Sequence, residues 1–303
     1  MSMHGSFLTH ANKRYLWVAL GLLVVVIGTY LGYEPVGAPP NGGTWLGYTL
    51  GTIGALLILW LMYFGIRKRR YGKGTGSVRG WLSAHVYLGT ALILVALLHS
   101  GFQVGWNVHT LALVLMLVVI FSGFFGVYAY LRYPTLMTRN RQDATRDAML
   151  VEIGEIDQNA LMLADAVDPK IHAIVLRSIE KTRLGGGVWA QLTARDGSEA
   201  ALARLREAIA EREKESKAKP VKEQSTMFAM VDFLAGGGSN DQQSEALRKL
   251  IDLLTRKKTL ATRVGRDIQF QALMEIWLYI HVPLSFALLA ALIAHVVSVF
   301  YFW

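Results

Sequence analysis

The sequence predicts an all-α fold: an integral membrane bundle of five spanning helices, interrupted by a mainly helical insert. Hydrophobic residues make up 53% of the 303 residues, and the mean hydropathy is +0.34. The apolar residues are concentrated in five runs, each near or above the ~20 residues needed to cross the hydrocarbon core of a bilayer. A long, highly charged block with helical periodicity separates the fourth run from the fifth.

The five candidate spans set the expected domain organisation. They cover about 15–33, 46–66, 81–104, 109–131 and 272–302. Residues 1–132 therefore hold spans one to four, residues 133–270 form the insert, and residues 271–303 hold the fifth span. The first run lacks a small-residue cleavage site after a short apolar core, so we expect it to be retained as a span.

The distribution of lysine and arginine predicts the orientation. The loop EPVGAPPNGGTW after the first span has neither residue, whereas the loop after the second span has six of them, namely Arg67, Lys68, Arg69, Arg70, Lys73 and Arg79. The positive-inside rule places that basic loop in the cytoplasm. Counting spans, we expect a cytoplasmic N-terminus, a cytoplasmic insert and an outside C-terminus in a bacterial-type inner membrane.

Within the insert, capping and breaking residues predict the helices. Asp168 before Pro169 starts a helix that continues to about 183 and ends at the glycines 185–187. The segment GSEAALARLREAIAEREKESKAKP forms an amphipathic helix that ends at Pro220. A long helix starts near Asp241, after the glycine run 236–238, and can continue into the last span.

Two further segments of the insert have less regular patterns. VWAQLTARDG is expected to form a short hairpin or an extended piece, and the Lys- and Glu-rich stretch 212–224 a flexible linker. The insert has no recognisable nucleotide motif or catalytic constellation, since RLGGGVW lacks the GxGxxG spacing. We therefore expect it to dock a partner and to hold no cofactor.

Four histidines occur as two pairs with identical spacing inside the third and fifth spans. His85 and His99 enclose HVYLGTALILVALLH, and His281 and His295 enclose HVPLSFALLAALIAH. Fourteen positions come within about 40° of a whole number of turns and span roughly 21 Å, so each helix carries both imidazoles on one face. Imidazole is a good axial ligand for haem iron, and ionisable residues inside a bilayer usually serve a function.

The expected topology pairs these histidines across the two helices. Both spans run from inside to outside, so His85 should face His281 near the cytoplasmic surface, and His99 should face His295 near the outer surface. Each pair can ligate one haem iron. The chain has no cysteine, which excludes the CxxCH attachment of c-type haem, so we expect two non-covalent haem b groups. A single histidine in a span could instead serve as an interhelical hydrogen-bond donor.

Other polar residues near the spans are candidates for contacts with a cofactor. Arg79 and Arg132 are the cations nearest the cytoplasmic haem end and could pair with a propionate, with interfacial snorkelling as the alternative. His109 could donate a hydrogen bond to a propionate or a quinone. Its neighbour Trp106 is more typical of an aromatic belt at the membrane interface.

The repeated H-x13-H pattern on two parallel spans resembles the haem-binding bundle of cytochrome b from quinol–cytochrome c oxidoreductases. It is also similar to the transmembrane haem core of ferric reductases and NADPH oxidases, in which helices three and five supply the ligands. The four histidines carry the resemblance, which covers the spans and not the insert. The chain departs from both families, since no flavin or nicotinamide domain follows the last span and no PEWY-like quinol-site segment is present.

The resemblance and the histidine pattern together imply transmembrane electron transfer. The leading expectation is a cytochrome b subunit of a respiratory or other redox complex that exchanges electrons with quinone or with protein partners. Those partners would be a cytoplasmic flavoprotein or iron–sulfur protein, or an outer-face cytochrome. One alternative is a ferric- or oxygen-reductase-like membrane oxidoreductase fed by a separate cytoplasmic reductase. Another is a non-redox scaffold or proton-coupled transporter.

The net charge of +9 bears on the partners as well. Much of the excess lies beside the spans, where Lys and Arg set topology and meet anionic lipid. We therefore expect membrane lipids, and not nucleic acid, to be the partners of these cations.

Overall fold

The computed structural model describes residues 7–33, 41–69, 76–142, 144–182, 184–192, 197–218 and 226–301, with the backbone alone over 212–218 and 226–244. Within these ranges the chain is helical and contains no strand. A short 3₁₀ segment, Phe7–Lys13, precedes nine helices, which are α1 (Arg14–Leu31), α2 (Trp45–Arg69), α3 (Val78–His99), α4 (Val108–Arg141), α5 (Arg146–Asp165), α6 (Pro169–Lys181), α7 (Val188–Leu192), α8 (Ser198–Ala218) and α9 (Thr226–Tyr301).

The chain forms two compact units, of which the first comprises 1–131 and 276–303 and the second 132–275. In the part of the chain that the structure describes, five helices are long and apolar enough to cross a membrane: α1, α2, α3, the helix that begins at Val108 and the helix that ends at Tyr301. They correspond to the five apolar runs of the sequence. For the first three spans the helix bounds differ from the expected ones by at most five residues, with the largest difference at the end of α3. The helices of the fourth and fifth spans extend well beyond the apolar runs, since α4 continues to Arg141 and α9 begins at Thr226.

The third span was expected to reach residue 104, but α3 ends at His99. The backbone N–H of Phe102 donates to the carbonyl of Leu97, and that of Gly101 donates to the carbonyl of Leu98, both at 3.2 Å. Gly101 and Phe102 have left-handed φ angles of 58° and 60°. This arrangement has the hydrogen-bond pattern of a Schellman motif, which closes a helix by satisfying its last carbonyls.

The core of the first unit consists of two apolar clusters. Val26, Leu50, Val95 and Leu98 form the first. The second, which we call the waist, contains the buried side chains of Ile58, Leu92, Met116 and Leu288. The waist joins residues from α2, α3, α4 and α9, and it is central to the site described below.

The second unit packs α5, α6 and α8 with the middle part of α9. Its main core is formed by ten buried apolar residues from these helices, which include Val175, Leu205, Leu250 and Leu254. The start of α6 is as predicted, because the Asp168 side chain accepts a hydrogen bond from the N–H of Lys170 and Pro169 occupies the first turn. The amphipathic helix is present as α8.

Three expectations about the insert are wrong. VWAQL forms the short helix α7, in which the side chain of Gln191 donates to the carbonyl of Gly186 at 2.9 Å. An isolated hairpin is at best marginally stable in water, which favours a short helical turn closed by this side-chain hydrogen bond. The rest of VWAQLTARDG, 193–196, lies outside the described residues.

The glycine run 236–238 does not end a helix either, because α9 passes through it. Glycine weakens a helix by about 1 kcal/mol relative to alanine, yet it keeps the N–H donor that proline lacks. The predicted linker 212–224 is helical as far as Ala218, and 219–224 lies outside the described residues. As expected, α9 continues without interruption into the last span.

Two ion pairs of the second unit each have one fully buried member. Arg141 donates to both carboxylate oxygens of the buried Asp267, at 2.8 and 2.7 Å, and this hydrogen bonding raises the pKa of the guanidinium. The side chain of Lys257 is fully buried, and its Nζ lies 2.7 Å from Oδ1 of Asp157. The two atoms do not meet the geometry of a hydrogen bond. The short distance therefore reflects the attraction between the opposite charges of the two side chains.

The pair of Lys257 and Asp157 gives a test of this packing. Asp157→Ala leaves a buried ammonium without a counter-charge, and we expect it to destabilise the second unit by about 3–5 kcal/mol. Hydrogen–deuterium exchange over α5 in detergent measures the loss. The double variant Asp157→Ala/Lys257→Met should recover most of the protection, since an apolar side chain of similar volume tolerates burial.

A matched control is Glu152→Ala, which breaks the more exposed pair of Glu152 with Arg256. Surface pairs contribute about 0–1 kcal/mol, so this variant should exchange nearly as the parent does. Equal exchange in Asp157→Ala and Glu152→Ala would contradict the structural importance of the buried pair.

Candidate functional site

The four repeated histidines all lie in the first unit, two on α3 and two near the end of α9. The rings of His99 and His295 are neighbours, with centroids 6.0 Å apart and planes at 88°. His85 and His281 lie close enough to interact electrostatically. The first histidine of one repeat is therefore near the first of the other, and the second near the second, as expected if the two helices run in the same direction.

Each histidine of α3 is hydrogen-bonded through Nδ1 to a backbone carbonyl of α2. Nδ1 of His85 lies 3.1 Å from the oxygen of Leu61, and Nδ1 of His99 lies 2.8 Å from the oxygen of Gly47. A carbonyl oxygen can only accept, so Nδ1 must carry the hydrogen in both rings. In the neutral imidazole, Nε2 then keeps a free lone pair.

The first histidine of α9 is held in the same way by α4. Nδ1 of His281 lies 2.6 Å from the hydroxyl of Ser122. That hydroxyl is 2.8 Å from the carbonyl of Val119 and donates its single hydrogen to it, so it accepts from His281. Trp277 supports the arrangement, since its Nε1 donates to the carbonyl of Ser122 at 2.7 Å and its indole packs on the imidazole, with centroids 5.2 Å apart.

The second histidine of α9 is bonded to another histidine. Nδ1 of His295 lies 2.6 Å from Nδ1 of His109, and the two ring planes are nearly perpendicular with centroids 4.5 Å apart. His109 is in the first turn of α4. Thus α2 supplies both partners of the α3 histidines, and α4 supplies both partners of the α9 histidines.

This hydrogen-bond pattern fits a pair of metal–imidazole sites. Histidines that ligate a metal usually bond through their other ring nitrogen to a neighbouring group, which fixes the tautomer and the ring orientation. Here every such bond engages Nδ1, and among the described residues no hydrogen bond engages Nε2. His99 and His295, with ring centroids 6.0 Å apart, are the residues that would hold a metal ion at one of these sites.

No group of three or more His, Cys, Asp or Glu side chains with metal-binding geometry occurs among the described residues. A haem bound by two histidines would need only two of these side chains.

Glycines admit these aromatic side chains at two points. A Cβ atom on Gly51 would lie 2.7 Å from Cε1 of His99, and one on Gly126 would overlap the indole of Trp277. Gly126 therefore admits Trp277. Gly89 faces the side chain of Leu61 at 3.8 Å.

The remaining candidates do not join the histidine cluster. Arg79 and Arg132 are exposed, and neither forms an ion pair or hydrogen bond with another described residue. Trp106 is fully exposed in the segment between α3 and α4, a position compatible with the interfacial role expected for it. His109 is the one additional candidate that contacts a repeated histidine.

The sequence analysis missed four positions that hold the histidines. They are the carbonyls of Gly47 and Leu61, the close-approach glycine Gly51, and the hydroxyl of Ser122. One signal was present, because Gly47 and Gly51 form a GxxxG motif, which is typical of close helix approach in membranes. Backbone carbonyls carry no signal of their own in a sequence.

Comparison of the chain with models of protein families, with curated proteins and with solved structures gives no match.

Substitution of Gly51 tests the packing around His99. In Gly51→Ala the new methyl group must displace the imidazole and weaken its bond to Gly47, so we expect a loss of about 1–3 kcal/mol. Gly65→Ala is the matched control on the same helix, since nothing lies within 4 Å of a Cβ atom there. Thermal unfolding in one detergent should show a lower Tm for Gly51→Ala only. Equal melting of both variants would contradict the close approach.

Proposed function

We propose that the first unit binds two b-type haems, each between one histidine of α3 and one of α9, and that the chain conducts electrons across a membrane. The observation that carries the proposal is the common hydrogen-bond pattern of the four histidines. Each bonds through Nδ1 to α2 or α4, and each keeps Nε2 for a ligand. His85 and His281 would hold one haem, and His99 and His295 the other.

Helix–helix hydrogen bonding alone does not account for this pattern. A histidine that only links two helices can use either ring nitrogen. His85, His99 and His281 donate through Nδ1, which leaves three Nε2 lone pairs without a donor among the described residues, and unsatisfied polar atoms are costly in a membrane interior. Coordination of iron through Nε2 would satisfy these three lone pairs, and His295, which also bonds through Nδ1, would coordinate in the same way.

The residues between the two pairs support two separate centres. Leu92 follows His85 by seven residues and precedes His99 by seven, and Leu288 stands in the same relation to His281 and His295. Both leucines belong to the waist, whose four side chains are each less than a tenth exposed. The waist excludes water from the space between the two histidine levels, which are about 21 Å apart along the helices.

When bound, haem supplies a one-electron carrier whose potential depends on its axial ligands, burial and hydrogen bonds. The protein's part is to hold and orient the imidazoles. The carbonyls of α2 fix two rings, Ser122 fixes a third, and Trp277 packs against that third ring. These contacts leave little freedom for the ligands, which favours the small structural change that electron transfer requires.

The membrane setting is part of the proposal. The outward-facing side chains of the spans are strongly apolar, and Val24, Val25 and Phe300 are each more than 60% exposed. A bilayer is the environment in which such a surface is stable. From the basic loop after α2, we place the N-terminus and the second unit in the cytoplasm and the C-terminus outside an inner membrane of bacterial type.

We further propose that the chain is the electron-transfer subunit of a larger redox complex. Its donors and acceptors would be quinone, a flavoprotein or iron–sulfur protein on the cytoplasmic side, or a cytochrome on the outer side. The second unit would provide the cytoplasmic docking surface. This assignment rests on the haem core and on the resemblance of the histidine pattern, and the partners that co-purify in mild detergent test it.

Haem content is the first test of the function. The protein purified in mild detergent should contain two non-covalent haems per chain, both six-coordinate and low-spin, because there are four paired ligands and no cysteine for attachment. Acid–acetone extraction and a pyridine haemochrome assay give the number directly. Preparations without haem, after expression with a haem supply, would remove the redox function and favour a scaffold or a proton-coupled transporter.

The pairing of the ligands is the second test. His85→Ala and His281→Ala should remove or convert the same component of a redox titration, and His99→Ala and His295→Ala the other. The control His172→Ala, in the second unit near Asp165, should leave both components unchanged. A defect shared by His85→Ala and His295→Ala would show that the ligands pair differently.

A further inference from the structure

We propose that His109 is a positioning residue that accepts a hydrogen bond from His295 and thereby lowers the reduction potential of the haem held by His99 and His295. This inference rests on the proposed function. In this inference, the partner of His109 is the iron ligand His295. The sequence had suggested a contact of His109 with a propionate or a quinone. The starting observation is the 2.6 Å separation of the two Nδ1 atoms.

Only one hydrogen can lie between two nitrogens at that distance, so one imidazole donates and the other accepts. If Nε2 of His295 coordinates iron, the ring hydrogen of the neutral imidazole must be on Nδ1, and His295 is the donor. His109 is then the acceptor through Nδ1, with its own hydrogen on Nε2. The assignment follows from valence once the ligating nitrogen is fixed.

The other three repeated histidines support the same direction of hydrogen bonding, with the histidine as the donor. His85 and His99 donate to backbone carbonyls, and His281 donates to the hydroxyl of Ser122, which has already given its hydrogen to Val119. All three are therefore donors through Nδ1. His295 donates through Nδ1 like the other three histidines only if His109 accepts the hydrogen bond.

The chemical nature of the acceptor sets the effect on the haem. Donation from Nδ1 increases the basicity of the ligating nitrogen, and a more basic ligand favours ferric over ferrous iron. An imidazole nitrogen is a stronger acceptor than a serine hydroxyl. On the α9 side, the haem at His99 and His295 therefore receives the more basic ligand, and its potential should depend on His109.

The position of His109 agrees with this role. It lies thirteen residues before Ser122 on α4, about 20 Å along a helix, nearly the spacing of the two ligands on α9. Leu61 and Gly47 on α2 are separated by fourteen residues, which equals the spacing of the two histidines on α3. Each ligand helix thus has one neighbouring helix that presents acceptors at both haem levels.

The test compares three variants by potentiometric titration and electron paramagnetic resonance. His109→Leu removes the acceptor and should raise the midpoint potential of one component, the one that His99→Ala eliminates, with a change in its low-spin g values. His109→Asn places a carbonyl oxygen near the position of Nδ1 and should restore most of the parent potential. Ser122→Ala, the matched control on α4, should shift the other component.

The outcomes separate the inference from the proposed function. Absence of haem from the parent protein would overturn the function. With both haems present, unchanged potentials and g values in His109→Leu would overturn the role of His109 alone, as would a shift confined to the His85 and His281 component. Loss of one haem in His109→Leu supports the role if His109→Asn retains that haem, and contradicts it if His109→Asn loses the haem too.

Discussion

The hydrogen bond at Nδ1 of each repeated histidine is the constraint on which the rest of the first unit depends. An imidazole inside a membrane-type bundle must satisfy its polar atoms, and each Nδ1 here bonds to a group on an adjacent helix. The bonds to Leu61 and Gly47 fix the register of α2 against α3. Those to Ser122 and His109 fix α4 against the end of α9.

These bonds also explain the placement of small residues. Gly47 provides a carbonyl, and Gly51, one turn later, leaves room for the ring that bonds to it. Gly126 plays the equivalent part for Trp277, which in turn packs on His281. The glycines thus allow backbones and aromatic rings to approach closely at the points where the histidines are held, and apolar side chains fill the space between.

The second unit is specified by a different interaction. Lys257 and Asp267 are ten residues apart on α9, and both are fully buried as members of ion pairs. Buried ion pairs contribute little to stability on balance, but a shift in the packing would leave a charge without its partner. We infer that they specify how α9 packs against α5 and the end of α4, while leucines such as Leu205 and Leu254 provide the apolar burial.

The sequence predicts the long features of this fold well and the short ones poorly. Five helices that could span a membrane follow from apolar length alone, and the start of α6 follows from Asp168 and Pro169. The end of α3 could not be placed, because a Schellman closure at Gly101 interrupts an apolar run that continues to Val104. Helix α7 depends on a local side-chain hydrogen bond, and α9 continues through its glycines as part of a longer helix. Hydrophobic periodicity carries no information about either feature.

For the site, the equal spacing of the histidines directs attention to the right four rings. The groups that hold them were not visible in the sequence. A serine within FSGFFG resembles an ordinary small packing residue, and a carbonyl acceptor is present at every position of a chain. His109 was noticed because it is titratable, but only its distance from His295 reveals which group it serves.

The waist has a consequence for energy coupling in the proposed function. Because it excludes water between the two histidine levels, an electron passing from one level to the other crosses about 21 Å of low-dielectric material, out of the ~30 Å of a bilayer core. A full crossing is worth about 2.3 kcal/mol per 100 mV of membrane potential, so this step is worth roughly 1.6 kcal/mol per 100 mV. The voltage across the membrane would therefore either drive or oppose the transfer, and the chain would act as an electrogenic element.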